Sequence, residues 1–118
     1  MDFVTNLAKL DRALALERLG GDEELLQEVA KLFLDEYPGL MSDIRQAIET
    51  SNSNQLERAA HSLKGSVANF GSDAAWQAAF ALEKLGREQQ LAGVETAYAK
   101  LVMVMDTIQP ELAELAAQ

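Results

Sequence analysis

The apolar residues of this chain recur every three or four positions, and β-branched residues never alternate with polar ones, so the pattern is helical from end to end. Phe3, Leu7, Leu10 and Leu14 open a first stripe, which Gly20-Gly21 ends where a helix places its C-terminal glycine. Asp22 then stands as an N-cap. Behind it Leu26, Val29, Phe33, Tyr37, Leu40, Ile44 and Ile48 keep one face apolar. This predicts a helix over 23–50, kinked near Pro38 or built as two stacked pieces. Ser51 to Asn54 read as a turn, with Asn52 and Gln55 at capping-box spacing. A third helix is expected over about 54–70, with Leu56, Ala60, Leu63, Val67 and Phe70 facing the core. Gly71 closes it, and Ser72 or Asp73 caps an Ala-rich helix ending near Gly86. The last helix carries Leu91, Val94, Tyr98, Leu101, Met105, Ile108 and Leu112, with Pro110 near its end. Short connections between long amphipathic helices imply antiparallel neighbours. The expected architecture is all-α, an antiparallel up-and-down four-helix bundle with a short extra N-terminal helix, spanning 1–118 as one domain.

Composition narrows the classes of function. A chain of 118 residues, 48% hydrophobic and 25% charged, has room for one core and too much apolar content to stay disordered. The apolar run Leu101–Met105 is far too short to span a bilayer, and no secretory signal is recognisable, so a cytoplasmic location without membrane contact is expected. With no cysteine and one histidine, disulfides, thiolate chemistry and a paired Glu-x-x-His di-metal site are ruled out, and no metal is expected. A net charge of −9 disfavours nucleic acid. Nothing in the pattern calls for an oligomer, so a monomer is the simplest expectation.

Enzyme motifs are missing as well. Gly20-Gly21 lacks the rest of a phosphate-binding loop, and Ser62 points about 100° away from the adjacent His61, too far for a nucleophile–base pair. His61 itself lies about 140° from the centre of its helix's apolar stripe and should face solvent. A lone exposed histidine most often does nothing. Two neighbours argue otherwise. Lys64, three residues on, can neutralise an anion attached to the imidazole. Gly65 weakens the helix interior by about 1 kcal/mol relative to alanine, and the close approach of another group would be a reason for it. From 58 to 87, Arg58, Lys64, Lys84 and Arg87 outnumber Asp73 and Glu83, a mildly basic island on an acidic chain. Trp76, Phe80, Glu83 and Arg87 share one stripe of the fourth helix, while Ala75, Ala79 and Leu82 share another.

The segment Ala59-Ala60-His61-Ser62-Leu63-Lys64-Gly65, followed by Asn69-Phe70-Gly71, resembles the signature of histidine-containing phosphotransfer (HPt) domains of bacterial multistep phosphorelays. The likeness extends to Leu10-Asp11, Leu19-Gly20-Gly21-Asp22, Leu32-Phe33 and Leu82-Glu83. It implies a four-helix bundle in which His61 accepts a phosphoryl group from a receiver-domain aspartate and passes it to another receiver. Lys64 would stabilise the phosphoryl oxygens, and Gly65 would clear space for them and for the partner. Family members commonly orient the histidine with a glutamine on the neighbouring helix. The matching residue here is Glu83, whose carboxylate would orient a ring proton but repel a phosphoryl group. Arg58, Ala68, Trp76, Phe80 and Arg87 are the candidate receiver-docking residues. The implied partners are response-regulator receivers and a hybrid sensor kinase, of which this chain could be the C-terminal domain. Cofactors are expected to be none, with Mg²⁺ only on the receiver. The chain itself would be a carrier and not an enzyme. The competing readings are a helical protein-binding adaptor without phosphate chemistry, and a degenerate domain that docks without carrying phosphate.

Overall fold

The computed structural model describes residues 9–117, and among them every regular element is a helix. We number these α1 (Arg12–Arg18), α2 (Glu23–Glu49), α3 (Ser53–Ala68), α4 (Asp73–Arg87) and α5 (Val94–Ala117). Phe3 and Leu7, expected to begin the first stripe, lie outside the described residues. Local capping chemistry sets the helix starts. The side chains of Asp11, Asp22, Asn52 and Ser72 each accept a hydrogen bond from the backbone N–H three residues on. The expected capping box at Asn52 forms only by half. Gln55 donates its backbone N–H to Asn52, but its side chain turns to the Asp43 carbonyl and Gln46 Oε1 on α2.

Of the two forms expected over 23–50, the single helix is the one found, since α2 is continuous over Glu23–Glu49 with Pro38 inside it. α3 stops at Ala68, short of the expected residue 70, yet Phe70 in the following turn stays buried. There its ring meets Phe33 of α2, with centroids 5.5 Å apart. Gly71 in the same turn has φ +70, and a Cβ there would come within 2.7 Å of Asp11 Cβ. Only glycine lets the chain both reverse there and seat the start of α1, whose Asp11 N–H bonds the Phe70 carbonyl at 2.9 Å.

Each of the four long helices packs against two others: α2 on α3 and α5, and α4 on α3 and α5. The shared core is built from Leu26, Phe33 and Ile44 of α2, Leu56, Leu63 and Val67 of α3, Ala75, Ala79 and Leu82 of α4, and Leu101, Met105, Ile108 and Leu112 of α5. At about 1.5–3 kcal/mol for each large side chain removed from water, this seam dominates the stability. From Leu26 to Leu112, the apolar positions read from periodicity are thus the ones that pack. α3 and α4 make the most extensive pair, and the alanines of α4 explain it, because small side chains let two helices approach closely.

Candidate functional site

The α3–α4 seam brings His61 and its neighbours together. Gly86 is the reason the seam is so tight. A Cβ at residue 86 would lie 2.7 Å from the Glu57 backbone nitrogen and 2.8 Å from the Ser53 carbonyl oxygen. The helix α4 ends near Gly86 as expected, at Arg87, and Gly86 itself is a buried contact point in its last turn. One turn before it, Glu83 projects into the seam and is 2% exposed.

Glu83 is the hub of the site. Its Oε2 lies 2.9 Å from His61 Nδ1 and accepts from Arg87 Nη2 at 2.6 Å. Its Oε1 is buried and faces the Lys64 ammonium at 2.7 Å, an ion pair and not a directed hydrogen bond. Arg87 also donates through Nε to Glu57 at 3.1 Å. Burial by itself would push the Glu83 carboxyl up. The Lys64 ammonium against Oε1 and the His61 hydrogen bond to Oε2 together outweigh burial and hold it below the ordinary carboxylate value. An ionised carboxylate can only accept hydrogen bonds, so in the neutral imidazole the proton belongs on Nδ1. That leaves the lone pair on Nε2, in a side chain that is 67% exposed.

The flanks of His61 differ. On one side Lys64 is mostly covered, with its ammonium 5.4 Å from the Trp76 ring centroid and 5.1 Å from that of Phe80. The two rings lie 5.2 Å apart, tilted by 33°, and are half-buried, with Trp76 packed against the core. On the other side an open groove of about 590 Å³ is lined by Glu57, Arg58, His61, Ser62, Glu83 and Arg87. Gly65 is exposed beside His61, and a Cβ there would meet nothing within 4 Å, so no internal contact demands glycine. Ala68 does not join this group. It lines a separate groove with Leu14, Arg18 and Trp76, and its carbonyl accepts from Arg18 Nη1.

The structure therefore assembles His61, Lys64, Glu83, Arg87 and Arg58, and places Trp76 and Phe80 next to Lys64. Two features were not read from the sequence. Lys64 is held by Glu83, and Arg87, expected as a docking cation, neutralises the same carboxylate. The i,i+4 spacing of Glu83 and Arg87 was the available signal. Among the described residues no three His, Cys, Asp or Glu side chains cluster as a metal site, and no helix is long and apolar enough to cross a membrane.

No curated protein and no solved structure matched the chain. A family model did: that of the Hpt domain matches residues 28–118, covering α3, α4 and the whole His61–Glu83 arrangement. With most of its length under that match, the chain belongs to the Hpt domain family, the histidine phosphotransfer domains of phosphorelays.

Proposed function

We propose that this chain is a phosphorelay carrier in which His61 Nε2 accepts a phosphoryl group from one receiver aspartate and delivers it to another. The observation that carries the reading is the 2.9 Å contact between His61 Nδ1 and Glu83, which leaves Nε2 unprotonated on an exposed face. In the forward step the Nε2 lone pair attacks phosphorus, and the acyl-phosphate P–O bond breaks. The receiver aspartate leaves as a carboxylate, and the Nδ1 proton stays in its bond to Glu83. Positive charge developing on the ring is countered by that carboxylate. In the onward step a second receiver aspartate attacks phosphorus, the Nε2–P bond breaks, and the ring is left neutral with its proton on Nδ1. Any Mg²⁺ the transfer needs would be held by the receiver.

Lys64 and Arg87 make the carboxylate tolerable next to a dianion. Each contributes a positive charge to Glu83, so the repulsion expected of a glutamate in this position is offset. Lys64, three residues from His61 on α3, also adds its charge to the field at the phosphoryl group. Gly65 keeps the surface low where the receiver must come close. Trp76 and Phe80, with the Arg58 side of the groove, would border the docked partner. The mutual packing of α2 to α5 and their short connections support an antiparallel up-and-down four-helix bundle. We read the chain as a monomeric cytoplasmic domain, either free-standing or part of a hybrid sensor kinase.

The test is transfer from a phosphorylated receiver to the purified domain. The parent should acquire acid-labile, base-stable phosphate, and His61→Gln should acquire none. Because His61 is off the core, the variant should keep its stability to within about 1 kcal/mol. Phosphate on the variant would overturn the assignment. Binding of the receiver without phosphate on the parent would leave the adaptor reading in its place.

A further inference from the structure

Three cations surround His61, and two are already committed. Lys64 faces the buried Oε1 of Glu83, and Arg87 is divided between Glu83 and Glu57. Drawing either away would strand a buried carboxylate oxygen or strip it of charge. Arg58 is different. Among the described residues its guanidinium makes no ion pair, and it gives one long hydrogen bond, 3.4 Å, to the Asn54 carbonyl. It sits three residues before His61 on α3 and lines the same open groove, as does Ser62.

We propose that Arg58 binds the phosphoryl oxygens of phosphorylated His61 directly, from the groove side of the ring, as a ligand of the phosphorylated state. This rests on the His61 reading above. Side chains three apart on a helix start about 5–6 Å from each other, within the reach of an arginine. Its planar fork donates to two oxygens at once, which an ammonium does not. Moving it breaks no internal ion pair. Lys64 and Arg87 then keep Glu83 neutralised while Arg58 meets the new charge, and Ser62 can add a donor in the same groove.

The experiment removes the receiver, so that docking plays no part. Phosphoramidate phosphorylates the imidazole chemically: its P–N bond breaks as the Nε2–P bond forms, and ammonia leaves. The lifetime of the phosphorylated domain and the 31P titration of its phosphoryl group are then read for the parent, Arg58→Gln, Arg58→Lys and Lys84→Gln. A guanidinium held on the oxygens of the resting phosphoryl group stabilises that dianion and covers it against attack by water, so its loss speeds hydrolysis. Arg58→Gln should shorten the lifetime about two- to five-fold, the scale of an exposed ion pair, and shift the phosphoryl titration to higher pH. Arg58→Lys should restore part of both. Lys84→Gln removes the same charge from an exposed position outside the groove and should match the parent. Equal lifetimes and titrations for Arg58→Gln and the parent would overturn this proposal alone. A parent that forms no phosphohistidine would overturn the functional reading and this proposal with it.

Discussion

At the scale of single residues, the site is a buried carboxylate serving three partners. Glu83 is retained in the seam because Lys64 and Arg87 supply the charge that water would otherwise provide. Lys64 is therefore as much a structural residue as an electrostatic one. Lys64→Ala should lower stability by about 1–3 kcal/mol, because it leaves Glu83 Oε1 buried without a counter-charge. It should slow phosphoryl transfer without abolishing it. Adding Glu83→Gln should return part of the lost stability, so the two changes will not be additive. Chemical denaturation of the two single variants and the double variant checks this. Strict additivity would mean that Lys64 does not neutralise Glu83.

At the scale of elements, two glycines in neighbouring helices have opposite reasons. Gly86 is needed inside the molecule, since any Cβ would collide with the α3 backbone. Gly65 is needed, on our reading, outside it. Gly86→Ala should force α3 and α4 apart and destabilise the fold by about 1–3 kcal/mol. Gly65→Ala should stabilise α3 by up to about 1 kcal/mol, whereas Gly65→Leu should stay folded and lose receiver transfer. Thermal melts paired with a transfer assay separate the cases. Parental transfer by folded Gly65→Leu would remove the clearance argument. These glycines also show what the sequence made legible. Helix starts at Asp22, Asn52 and Ser72 could be read because a cap is a local event within four residues. The His61-Lys64-Gly65 face could be read because it lies on one helix. The role of Gly86 and the sharing of Glu83 by Lys64 and Arg87 depend on the distance between α3 and α4. No spacing within a single helix encodes that distance.

For the whole molecule, the same carboxylate couples the site to stability against acid. Glu83 titrates below its ordinary value of 4.5 in the folded state. Its contribution is therefore complete above the unfolded value and is lost as pH falls through the lower folded one. Glu95 behaves alike. The hydrogen bonds from Arg45, at 2.8 and 3.1 Å, hold its carboxyl down and tie α2 to α5 at the exposed edge. Stability should therefore decline as pH drops below about 4.5, and the Glu83→Gln variant should decline less steeply across that window. Urea midpoints measured from pH 6 downward would show it. Identical slopes would mean that Glu83 is not ionised in the fold.

The central claim is that the phosphoryl group is carried on one atom, Nε2 of His61, because Nδ1 is committed to Glu83. The most direct measurement is the nitrogen–phosphorus coupling of the phosphorylated, 15N-labelled domain. We predict that phosphorus couples to Nε2 of His61, with a proton retained on Nδ1. Coupling to Nδ1, or phosphate on any other residue, would contradict the account.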